Sequence, residues 1–135
     1  MTVRIELAYQ GGLHTEATHP SGAVIETDAP LDNEGRGEAF SPTDLLATAL
    51  GSCMMTVMGI VARRHDWPLE GSRVLIDKEM VADPVRRVGR LGVRFSMAAG
   101  IPEVARAVLE RSAHTCPVSN SLAPDVKLDV TFDWE

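Results

Sequence analysis

The chain has 135 residues, with thirteen Lys and Arg against nineteen Asp and Glu and a formal net charge of −6. That length predicts one domain, residues 1–135, with enough chain to bury a core. A hydrophobic content of 44% and a charged content of 24% exclude a disordered chain. The acidic balance excludes a general nucleic-acid binder and a binder of anionic membrane surfaces.

The elements follow in chain order. Thr2 to Tyr9 alternates Val3, Ile5, Leu7 and Tyr9 with Arg4, Glu6 and Ala8, the pattern of a half-buried strand. Gly11-Gly12 signals a hairpin, Leu13 to Thr18 returns, Pro20-Ser21-Gly22 turns, and Ala23 to Asp28 gives a third strand. Pro30 to Glu38, polar and carrying Gly35 and Gly37, reads as a flexible surface loop. Ser41-Pro42-Thr43-Asp44 then starts a helix: Ser41 as cap, Pro42 at the first helical position, Asp44 as the acid of a capping box. The helix is expected to run to about His65, with Arg63 and Arg64 in its last turn and Pro68 beyond it.

Arg73 to Met80 and Leu91 to Ala98 read as a hairpin whose connection carries Asp83-Pro84, Arg86, Arg87 and Arg90, the arginines as a solvated tip. Pro102 opens a second helix with Val104, Ala105, Val108 and Leu109 on one stripe, and Pro117 opens a short third one. Val126, Leu128, Val130, Phe132 and Trp134 alternate with polar residues in a last strand. The order β-β-β-α-β-β-α-α-β predicts an α+β fold, a mostly antiparallel sheet with helices on one side.

The first helix carries no charge from Leu45 to Ala62. A spanning helix needs about 20 predominantly apolar residues. Thr48, Gly51, Ser52, Cys53, Thr56 and Gly59 dilute this one, so a buried central helix is expected and no membrane span. MTVRIELAYQGG has no apolar segment of the secretory type, which points to the reducing cytoplasm.

The two cysteines, Cys53 and Cys116, carry the chemistry. Steps of three and four join Cys53 to Leu46, Leu50, Val57 and Ile60, so it is expected to be largely buried. That position suits an inert core thiol as well as a reactive one. Cys116, before Pro117, is a plausible helix cap whose thiolate would face free N–H groups, with His114 two residues away. If the two thiols meet, one can attack an oxidant and the other close a disulfide on the sulfenic acid. No CxxC or HxxxH spacing is present, so no metal site is expected. No GxGxxG or Walker loop is present either, so no nucleotide is expected.

Two blocks, FSPTDLLATALGSC from Phe40 to Cys53 and HTCPVSNSL from His114 to Leu122, resemble the OsmC/Ohr superfamily of thiol-dependent peroxidases, in its OsmC-like branch. The resemblance implies an intertwined homodimer with the long helices packed together in the middle. It implies reduction of organic hydroperoxides with Cys53 peroxidatic and Cys116 resolving, an external thiol reductant, and no metal or organic cofactor. The organic hydroperoxide reductases activate the thiolate with a hairpin arginine and with a glutamate at the position held here by Thr43. This sequence offers Asp44 beside it, His14 in the hairpin, Arg36 in the loop, and His114 as the supporting groups. The alternative is a binding module or redox sensor of the same fold, holding an apolar or acyl ligand in the dimer pocket.

Overall fold

The structure, a computed structural model, describes residues 1–135. Its elements are β1 (Glu6–Tyr9), β2 (His14–Thr18), β3 (Val24–Asp28), α1 (Pro42–Arg64), β4 (Arg73–Val81), β5 (Arg87–Ser96), α2 (Glu103–Ala113), α3 (Pro117–Asn120) and β6 (Lys127–Asp133), with a 3-10 turn at Leu31–Asn33. The fold is α+β in the expected order. The strands form two three-stranded sheets, not one. They lie in two compact units, Met1–Leu46 and Ala47–Glu135.

In the first unit β1, β2 and β3 form an antiparallel meander, with Tyr9 opposite Thr15 and His14 opposite Asp28. Gly11 and Gly12, with φ of 83° and 61°, supply the left-handed backbone that the first turn requires. The alternation in β1 does not bury a face within this unit. Every residue of β1 is exposed, Leu7 at 61% and Tyr9 at 68%. The loop from Ala29 to Phe40 is also more ordered than its composition suggests. Gly35 N–H and Asn33 N–H donate to Pro30 O, Gly37 N–H to Ala29 O, and Asp28 N–H to Phe40 O. The buried Asp28 carboxylate accepts from Ala29 N–H and Glu38 N–H. This loop holds Arg36 between two anchored glycines.

The start of α1 is a reciprocal capping box. Asp44 N–H donates to Ser41 Oγ and Ser41 N–H to Asp44 Oδ2, each at 3.0 Å. Two of the N–H groups that a helix start leaves unpaired are thereby satisfied.

In the second unit β4, β5 and β6 form a sheet on which α1 packs from Ala47 onward. Gly51 is the point of closest approach: a Cβ there would run into Ile76 Cδ1 and lie 3.2 Å from Ile76 Cγ1. The buried stripe of α1 is Ala47, Leu50, Met54, Met58 and Ala62, facing a core that holds Leu91, Val93 and Phe95. Each of the large side chains in it contributes about 1.5–3 kcal/mol by leaving water. An 18-residue window of this helix reaches a mean hydropathy of 1.9. A third of that window is buried, along the stripe that meets the sheet, and Ile60 on the other side stays 39% exposed.

β4 and β5 pair antiparallel, Val74 opposite Phe95 and Ile76 opposite Val93, as the alternation predicts. β5 starts earlier than predicted, so Arg87 and Arg90 belong to the strand and not to a loop tip. Arg90 lies across the sheet. Its Nε donates to Asp129 Oδ2 at 2.6 Å, and its Nη1 pairs with Glu79. Gly92 leaves the guanidinium room to do so. β6 runs parallel to β5, with Phe95 beside Phe132, because α2 and α3 form the crossover between them.

Candidate functional site

Cys53 lies on α1 at the edge of the stripe that faces the sheet. It is half-buried, not largely buried. A helix that is apolar nearly all round gives no phase to its sequence pattern. Met54 and Met58 take the core face, and Cys53, with Val57 and Ile60, turns away from it.

Cys116 is fully buried at the start of α3. Its backbone is extended, Pro117 follows at the first helical position, and its Sγ accepts from Ser119 N–H at 3.5 Å. That is the capping role the sequence predicts. Ser119 Oγ donates to Cys116 O at 2.8 Å, and Asn120 N–H donates to the same carbonyl at 3.1 Å. The turn around Cys116 is thus closed on itself.

The second unit brings the two cysteines near enough for the Cys116 thiol to act on that of Cys53. Burial pushes the Cys53 thiol above its ordinary range, and the Cys116 thiol pushes it further the same way. The main chain at Val118 pulls in the opposite direction.

The supporting residues fall in different places. His14 and Arg36 line one polar pocket of about 290 Å³ in the first unit, with Gly11, Gly12, Asp28 and Glu38. His14 Nε2 lies 3.3 Å from Glu26 Oε1 on the neighbouring strand. Asp44 forms the capping box. His114 ends α2 and sets its ring edge-on to Phe132, with centroids 6.5 Å apart. The group that sequence reasoning missed is Ser119, whose N–H and Oγ hold the Sγ and the carbonyl of Cys116.

A family model described as OsmC-like protein matches residues 35–131, and the chain belongs to this OsmC-like family. No curated protein matches it. Among solved structures it is similar to a Psychrobacter arcticus protein provisionally described as an osmotic stress induced and detoxification response protein. The two are 42% identical with a TM-score of 0.91, over 98% of this chain and 96% of that one. An organic hydroperoxide resistance protein OsmC from Legionella pneumophila shares the fold at 20% identity and a TM-score of 0.78, over 98% and 97% of the two chains. OhrB of Bacillus subtilis, named as an organic hydroperoxide resistance protein, shares it at 16% and 0.71, over 98% of each.

Proposed function

We propose that the protein is a two-cysteine peroxidase that reduces organic hydroperoxides in the cytoplasm. The observation that carries this is the nearness of the two free thiols, Cys53 on α1 and Cys116 at the start of α3. The names of the Legionella and Bacillus relatives support the substrate class.

The half-buried Cys53 is the thiol an oxidant reaches first, and the fully buried Cys116 is the one that resolves. The Cys53 thiolate attacks the distal peroxide oxygen. The O–O bond breaks, the alkoxide takes a proton and leaves as the alcohol, and Cys53 becomes a sulfenic acid. The Cys116 thiolate attacks the Cys53 sulfur, a disulfide forms, and hydroxide leaves as water on taking up a proton. Two equivalents of an external thiol return both cysteines, themselves ending as a disulfide. No metal or organic cofactor enters these steps. Arg36, His14, Asp44 and His114 are the side chains proposed to support the thiolate and its surroundings.

The protein acts as a homodimer in this proposal. Leu7 and Tyr9 in the first unit and Ile60 in the second are apolar side chains left open to water. They are the side chains through which two copies are proposed to associate. Sedimentation equilibrium tests it, and a monomer at micromolar concentration refutes it.

One observation favours a second reading, a slow redox sensor of the same fold. It is the Cys53 thiol held above its ordinary range, which leaves little thiolate at neutral pH. Cumene hydroperoxide added at one equivalent to the reduced protein, followed by alkylation and mass analysis, separates the two. Loss of both thiols within seconds, with a Cys53–Cys116 crosslink, supports the peroxidase. Two free thiols after minutes in excess hydroperoxide end it.

A further inference from the structure

The polar pocket of the first unit is lined by Gly11, Gly12, His14, Asp28, Arg36 and Glu38. The thiol chemistry proposed above draws on His14 and Arg36 and has no use for the two carboxylates. Main-chain bonds fix the lining. Gly35 N–H donates to Pro30 O and Gly37 N–H to Ala29 O, so the backbone at Arg36 is held on both sides. Glu38 N–H donates to Asp28 Oδ2 at 3.1 Å. Asp28 is 3% exposed, and its Oδ1 accepts from Ala29 N–H. A carboxylate has about four lone-pair positions, so this one keeps acceptor capacity. Arg36 and Glu38, two residues apart on the same anchored loop, form no ion pair and no side-chain hydrogen bond. The His14 Nε2 lies against Glu26 instead. A Cβ at Gly11 or Gly12 would meet nothing within 4 Å, so the hairpin turn leaves its side of the pocket open.

We infer that this pocket binds a small zwitterion, a free α-amino acid, with its carboxylate on the Arg36 guanidinium and its ammonium on Glu38 and the buried Asp28. The charges select the class. A simple anion would meet two carboxylates, and a simple cation would meet a guanidinium. A molecule with both signs on one carbon satisfies the two sides at once. Arg36 offers a planar fork matched to a carboxylate, and an ammonium offers three donors to the acidic oxygens. Size selects within the class: the volume is about 290 Å³, at the lower end for small-ligand pockets. Polar walls favour a short polar side chain over an apolar one. The loop is already held in shape by its own bonds, so binding requires little further ordering. The inference goes beyond the thiol reading and uses neither cysteine. An occupied pocket engages Arg36 and so withholds it from the supporting part proposed above.

The test titrates the ¹⁵N-labelled full chain with L-serine, N-acetyl-L-serine and L-serinamide at constant ionic strength and follows the amide spectrum. L-serine is expected to move the amides of Gly11, Gly12, Gly37 and Glu38 along one saturating curve with a midpoint of about 1 mM. The two blocked forms, each lacking one charge, are expected to bind about ten-fold more weakly. Arg36→Gln and Glu38→Gln should each weaken L-serine by about ten-fold, while Glu6→Gln, which removes a charge from exposed β1, should not. Absence of a saturating shift below about 50 mM L-serine overturns the inference. So does an equal affinity for N-acetyl-L-serine, the mark of a plain anion site, or for L-serinamide, the mark of a plain cation site. These three titrations use the unaltered protein, so they decide the matter even where a loop variant fails to fold. No thiol enters the readout: a protein that consumes no hydroperoxide ends the peroxidase proposal and leaves this one standing.

Discussion

Oxidation should stiffen the protein as well as change its chemistry, and the size of the effect can be worked out. Closing Cys53 to Cys116 ties a loop of about 64 residues, which in the chain-entropy model removes roughly 14 cal/mol/K from the unfolded state, about 4 kcal/mol at 25 °C. The native state gives little of this back if the two neighbouring thiols need only a small move to bond, since Cys116 is held by its own turn. For a chain of this size 1 kcal/mol corresponds to roughly 3–5 °C. The melting temperature should therefore rise by about 12–20 °C when one equivalent of hydroperoxide converts the pair. The assay is a thermal melt of reduced and oxidised protein at one fixed concentration, with the crosslink verified by mass. Cys116→Ser, treated identically, should show no rise. A verified Cys53–Cys116 disulfide with a gain under about 3 °C, or with a loss, would mean that the native thiols are not placed for bonding, and would refute the geometry on which the mechanism rests.

Three further outcomes follow from the packing and the thiol. Gly51→Ala gains helix propensity of about 1 kcal/mol but drives a methyl into Ile76, an overpacking cost of about 1–3 kcal/mol, so urea midpoints should show net destabilisation that Ile76→Val partly relieves in the double variant; simple additivity of the two would contradict it. Gly35→Ala places its Cβ inside the backbone carbonyl of Ala29. Amide exchange at Gly37 and Glu38, slowed by their bonds to Ala29 and Asp28, should become fast, and retained protection would refute the close approach. Because the folded state raises the Cys53 thiol, the stability it lends is complete below the ordinary thiol range of about 8.5 and declines as pH rises past it, where the unfolded chain has already lost that proton. Cys53→Ser should flatten the fall in urea midpoint between neutral and alkaline pH, and an equally steep fall in that variant would show that the thiol is not its source.

The parts of the fold that were legible from sequence are those decided locally. The Ser41–Asp44 box, the Pro42 start, the Arg63-Arg64 end and the capping place of Cys116 each depend on residues a few positions apart. What escaped depends on partners far along the chain. The parallel placement of β6 is set by the crossover. The extension of β5 through Arg87 and Arg90 is secured by Glu79 and Asp129 on the flanking strands, while the charges and Pro84 between the strands look like loop. Cys53 was placed too deep because Val57 and Ile60 extend its apolar row, although the sheet takes the Gly51–Met54–Met58 side. The pairing of the two cysteines entered through family resemblance, since nothing in their spacing fixes a contact. That His14 and Arg36 share a pocket depends on the hairpin turn and on a loop closed by main-chain bonds, neither of which is written in side-chain type.

The parallel strand at the end of the chain has a consequence for biosynthesis. β6 lies beside β5 along its length, from Arg90 with Lys127 to Ser96 with Asp133, and the turn bearing Cys116 is part of the crossover that brings it there. A ribosome therefore exposes Cys53 well before the segment that shields and pairs with it has been translated. During that interval the emerging polypeptide has a lone thiol on an apolar helix and a sheet still missing its third strand. Long-range pairing of this kind is completed late. The proposed thiol cycle therefore has both of its sulfurs in place only once the crossover has formed and the final strand has docked.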